Sequence, residues 1–216
     1  MPEDEKHFFQ AFEMVVGHLC LMSKSLGGKI SGKEVFLDKN YQLYMFPENI
    51  NQLFVTILGK FNSSGNLPSG SLSHNIDGFL YKHSNLGSRI IEFDEEQHFN
   101  PYRLVSLTEL KRLSNSFYIN SYIEYCRSIE YYHRMMQKHR LTIDTYSVPT
   151  QIKEFQSLIQ SNAKSNNGYI KQKEGFDFCG GRIAQRAYYD TLRDVAHMSF
   201  KNKSLAAPLR LSQYFF

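Results

Sequence analysis

The chain has 216 residues, of which 42% are hydrophobic and 14% aromatic, with 14 Tyr, 17 Phe and no Trp. That is enough apolar material for a domain-sized core, and it excludes an intrinsically disordered chain. Residues 1–98 carry 8 Lys/Arg against 12 Asp/Glu and residues 99–216 carry 17 against 9, so a net −4 precedes a net +8.

In chain order, Phe8, Phe9, Phe12, Val15, Val16, Leu19 and Met22 recur at helical spacing and predict an amphipathic helix over 6–25, stopped by "SLGG". Short strands are expected at "EVFL" and "YQLYMF", and a second helix at "NINQLFVTILGKF". The Ser/Gly/Asn-rich stretch 62–75 reads as a loop. "IDGFLY" and "RIIEFDE", joined by "KHSNLGS", read as a β-hairpin. Helical pattern runs over 104–141, densest in Tyr, Arg and His over 121–140, and returns over 151–162. A last helix, "GRIAQRAYYDTLRDVAHMSF", precedes a last strand in "APLRLSQYFF".

Several motifs fail on inspection. "GGKISGK" has P-loop spacing, but a helix precedes it and Glu34 stands where the magnesium-binding hydroxyl belongs. The eight histidines show no metal-binding spacing. Three cysteines without a C-x-x-C argue against a disulfide framework or zinc site. No apolar run approaches the roughly 20 residues that span a bilayer, and "MPEDEKHFF" lacks a secretory leader pattern. The expectation is a soluble, reduced, cytoplasmic protein with no membrane partner.

The hairpin carries the chemistry. Strand alternation puts Ile91 and Phe93 toward the core and Glu92 and Asp94 together on the other face, with Asp77 facing them from the partner strand. Three carboxylates on an apolar strand repel one another unless a cation is among them. Asp77, Glu92 and Asp94 are therefore the expected metal ligands, a hard-oxygen set suited to Mg²⁺.

An Asp, a spacer and Glu-x-Lys on a hairpin mark the PD-(D/E)XK nuclease superfamily, which this stretch resembles with Asp94 in place of the Lys. That leaves the general base unassigned. The nearer likeness is to the very-short-patch-repair endonuclease-like branch, with Glu-x-Asp-Gly-x-x-His, then a helix bearing Asp-x-x-Arg-Asp, then an apolar strand. "IIEFDEEQHF" matches with Glu92, Asp94 and His98, and "YYDTLRDVAH" with Asp190, Arg193 and Asp194. Glu95 replaces the glycine, and residues 99–186 separate blocks that are close in the family.

The resemblance implies an α/β fold with a mixed central sheet flanked by helices, its core in 1–98 and 182–216. A helical DNA-recognition insertion would occupy about 99–181. It implies catalytic roles for Asp77, Glu92, Asp94, Gln97, His98 and Gln185. Phosphate or base contacts would fall to Arg127, Arg134, Lys138, Arg140 and Arg186, while Arg193 and Asp194 would be structural. The function implied is that of a magnesium-dependent type II restriction endonuclease cutting double-stranded DNA, with a homodimer matching palindromic sites. The alternatives are a mismatch-repair nicking endonuclease and a non-catalytic DNA-binding protein that retains the fold.

Overall fold

A computed structural model describes residues 3–17, 19–30, 35, 45–64, 76–141, 145–162, 173 and 175–212. The strands expected at 34–37 and 41–46 lie almost wholly outside these residues, as do most of the loops expected at 62–75 and 161–168. The described residues fall into two compact units. One is drawn from 1–50, 69–94 and 192–216, the other from 51–68 and 95–191. No described helix is long and apolar enough to cross a membrane.

The first unit is built on a helix and a sheet. Helix α1 (Glu3–Val16) opens with Glu3, Asp4 and Glu5, whose charges suit the positive end of a helix dipole. It ends nine residues short of the expected limit, because Gly17 takes φ 89° and its N–H caps the Glu13 carbonyl at 2.9 Å. Leu21–Ser23 is then free to extend as β1 and pair with the hairpin. The helical spacing of Leu19 and Met22 was accidental: Leu19 is exposed, and Leu21 is buried opposite Leu80. "SLGG" caps a 3₁₀ turn, Lys24–Leu26, with Gly27 at φ 81°.

The expected hairpin forms, from β2 (Gly78–His83) and β3 (Gly87–Asp94), antiparallel with Gly78 opposite Ile91, but its strands extend into the expected 82–88 connection and Asp77, expected on the partner strand, lies just before β2. The last strand, β4 (Leu209–Ser212), lies parallel to β3, which gives a mixed sheet in the order β1-β2-β3-β4. The molecule is thus of mixed α/β class. One face of the sheet packs on α1 through Phe9, Val16, Leu21, Leu80, Ile91 and Phe93, and Phe8 stacks on Phe93 at 5.2 Å. The other face is not left to water, for every residue from Ile90 to Asp94 is buried.

The second unit is helical. It holds most of α2 (Glu48–Lys60), then α3 (Pro101–Leu110), α4 (Tyr118–Arg127), α5 (Ile129–Lys138), α6 (Ile152–Asn162) and all but the last residues of α7 (Gly181–Asp194). Asn100 caps α3 by accepting from the Arg103 N–H, with Pro101 at the first helical position. Aromatic rings fill the interior: Tyr102 meets Phe61, Phe155 and Phe178, and Phe99 meets Tyr122, Tyr125 and Tyr131. The helical run expected over 104–141 is interrupted after Leu110 and again at Ser128, whose extended ψ of 127° resets the phase. Tyr122 and Tyr132 are core, while Ile129, just after the interruption, is exposed.

The contact between Gly78 and Phe9 is a testable point of the first unit. A Cβ at Gly78 would fall 2.5 Å from Phe9 Cε1, and Phe9 is fully buried. Gly78→Ala should lose about 1–3 kcal/mol of stability in urea denaturation, the range for an overpacked core. Phe9→Leu removes the obstructing ring edge, so the double variant should lose less than the two single losses added together.

Candidate metal centre

The first unit gathers its charges around β3. Glu92 and Asp94, two residues apart, share a face and are 2% and 0% exposed. The parallel register sets Arg210 beside Glu92 and Ser212 beside Asp94. Arg210 is itself fully buried, with Nη1 2.7 Å from both carboxylate oxygens of Asp94 and Nε donating to Asp194 Oδ1. One guanidinium thus serves two carboxylates, an arrangement that its fixed fork of donors allows.

Glu92 is treated differently. Arg193 Nε stands 3.5 Å from its Oε2, an ion pair longer than a good hydrogen bond. Its Oε1 is buried and has no hydrogen-bond partner among the described residues. Burial pushes its carboxyl well above the usual range. Arg193 pulls the other way, Asp77 reinforces the rise, Arg210 opposes it and Asp94 adds to it. Asp77, just before β2, accepts the Phe93 N–H at Oδ2 (3.1 Å).

Lys24 joins this group from the turn after β1, where its N–H donates to the Asp77 carbonyl. Burial lowers its ammonium, Asp77 and Glu92 resist the fall, and Arg193 adds to it. Among the described residues, the carboxylates of Asp77, Glu92, Asp94 and Asp194 thus lie among the cations Lys24, Arg193 and Arg210, with Glu5 also acting on Lys24.

The remaining site residues named from the sequence lie in the second unit. His98 Nδ1 is 2.8 Å from Asp190 Oδ2, in a pair whose carboxylate is almost wholly buried. Gln97 Nε2 donates to Glu95 Oε2, and the buried Gln185 accepts from Arg182 Nη1 at 3.0 Å. Arg127 and Arg134 pair within their own helices with Glu124 and Glu130, and Lys138 reaches Glu95 at 2.7 Å. These pairs are solvent-exposed on their cationic side, and such pairs hold their partners by only about 0.2–1 kcal/mol. Arg140 ends α5 in a left-handed conformation at φ 57° and is exposed. Arg186 is half-buried on α7.

Two residues of the centre carried no assignment from sequence. Arg210 had a signal, a lone arginine within an apolar strand, since a charge there requires a buried counter-charge. Lys24 had none, because it is remote from the hairpin in sequence and reaches it only through β1 pairing.

Residues 58–214 match the sequence profile of a family of unknown function, DUF7255. No protein of curated function and no solved structure matches the chain.

Two measurements probe the centre without reference to activity. Arg210→Met leaves Asp94 and Asp194 buried without their shared cation, so about 3–5 kcal/mol of stability should be lost in urea denaturation. Glu92 should act in the opposite sense in metal-free buffer. Its folded pKa is raised, so between its unfolded and folded values the native state holds the extra proton and stability falls as pH rises. Glu92→Gln should therefore melt higher than the parent at neutral pH, and the difference should vanish below about pH 4, where both states are protonated. A Gln variant that melts lower at every pH would place Glu92 in a satisfied ion pair.

Proposed function

The chain belongs to this family of unknown function, and we propose that it is a magnesium-dependent endonuclease acting on double-stranded DNA, with a PD-(D/E)XK-like sheet as its catalytic platform. What carries the proposal is Glu92 Oε1, a buried carboxylate oxygen without a partner, flanked by Asp77 and Asp94. An oxygen-rich, net-negative pocket is the environment that a small divalent cation selects. The residues present fit such an ion: Glu92 offers an oxygen without a partner among the described residues, and Asp94 shares its strand face two residues on. When bound, a magnesium ion lowers the pKa of a water and neutralises charge developing on a phosphate.

The protein's own groups have separable tasks in this proposal. Arg210 fixes the orientation of the Asp94 carboxylate. Lys24 brings a lowered ammonium to the same acids and can hold the phosphate or pass a proton at Nζ, the role that the absence of Glu-x-Lys leaves open. In the second unit Asp190 holds His98 at Nδ1. Arg127, Arg134, Lys138 and Arg140 supply exposed charge for the phosphate backbone, and their acidic neighbours are weak competitors. A type II restriction endonuclease acting as a homodimer is the form we favour.

The second reading is a non-catalytic DNA-binding protein. It is favoured by one observation: both oxygens of Asp94 are already engaged by a guanidinium that is wholly buried.

Supercoiled plasmid separates the two. With Mg²⁺ the parent protein should linearise it, while Glu92→Gln and Asp77→Ala should bind DNA and leave it supercoiled. His98→Ala and Lys24→Ala should slow cleavage about 10²-fold or more, the contribution of a proton-transfer group. Nicked circles as the only product would indicate the nickase alternative. Intact plasmid in Mg²⁺ and in Mn²⁺, with no rise in melting temperature from either ion, would leave the DNA-binding reading in its place.

A further inference from the structure

The second unit brings the basic side chains of Arg186 and Lys138 to bear on His139, and Arg186 stands outside the ion pairs among the described residues. Arg186, on α7, has neither a carboxylate nor a hydrogen-bond acceptor among the described residues, and its Nη1 is sealed from solvent. His139, at the end of α5, is buried, and burial, Arg186 and Lys138 together push its imidazole down to about 4. The side chain of Lys138 itself turns to Glu95 at 2.7 Å and Glu96 at 3.8 Å. Arg186 is thus the cation of the group that has lost water at one nitrogen without gaining an acceptor.

A guanidinium in that state is a strong anion host. Its charge acts through a medium of lower effective dielectric than water, and its donors are fixed in a planar fork that matches an oxyanion. Being only half-buried, it remains accessible to a ligand. We propose that Arg186, with His139 beside it, forms an oxyanion site in the second unit that takes a phosphate group. The site itself does not depend on the nuclease reading; only the assignment of that phosphate to the DNA backbone rests on it.

The test is the ring titration of His139 followed by NMR in the full chain, first in phosphate-free buffer, then with excess inorganic phosphate, then with a short DNA duplex. An anion on Arg186 offsets the cations that face His139, so its pKa should rise by about one unit or more. Arg186→Gln should raise that pKa without any ligand, because a neighbouring positive charge is gone, and should abolish the further response. Arg186→Lys keeps the charge but loses the fork, so a weaker response is expected; it serves if the Gln variant fails to fold. Response to duplex supports a backbone phosphate, and response to inorganic phosphate alone supports the site with a free phosphate as ligand. A parent protein unmoved by both probes, or an Arg186→Gln protein that responds like the parent, overturns the proposal. A duplex response together with an uncut plasmid keeps this site and removes the nuclease reading, so the two can fail separately.

Discussion

Arg210 is the constraint on which the first unit turns. Its guanidinium is fully buried, and it neutralises Asp94 on the neighbouring strand and Asp194 at the end of α7. Without it Asp94 and Asp194 would lose the cation they share while remaining buried, a costly state for carboxylates. The register matters as much as the charge. Pairing β4 parallel to β3 with Arg210 beside Glu92 lets the side chain reach Asp94 two residues on. A slip of one residue would turn the arginine to the opposite face, among Phe9, Leu80 and Ile91.

That interaction also divides the acids into two kinds. Asp94 is anchored by two short contacts, whereas Glu92, on the same strand and equally buried, has one long contact and one bare oxygen. The two carboxylates share one backbone and nearly one depth, so neither burial nor secondary structure separates them. What separates them is the supply of donors. Arg210 is committed to Asp94 and Asp194, and Arg193 approaches Glu92 no closer than 3.5 Å.

Much of this was legible in the sequence wherever local pattern and tertiary contact agree. The hairpin was, because alternation, turn residues and a Gly at positive φ coincide within 76–94. So was the placing of Ile91 and Phe93 against Glu92 and Asp94. The end of α1 was not, because three apolar residues beyond Gly17 continued a helical spacing that a left-handed glycine had already stopped. Nor was the break between α4 and α5, where a single extended residue, Ser128, interrupts the helical run. The cations of the centre were the least legible. Lys24, Arg193 and Arg210 come from three distant segments, and only strand pairing and the last turn of α7 bring them to one place.

The uneven treatment of Glu92 bears on why the centre reads as a site and not only as a core. A buried carboxyl whose pKa is raised mainly by burial opposes folding at neutral pH, so a chain selected for stability alone would do better with Gln or Leu at this position. Neighbouring Asp94 shows that the fold can satisfy a carboxylate at this depth when a guanidinium is supplied. The unsatisfied oxygen is therefore not a general consequence of placing acids on β3. Among the described residues, it marks a point of the centre that the neighbouring cations leave without a donor. A proton answers the want of a donor at this oxygen, and a divalent cation of the kind proposed would answer it by taking the oxygen as a ligand, so that the stability of the unit would depend on pH and on metal through the same atom.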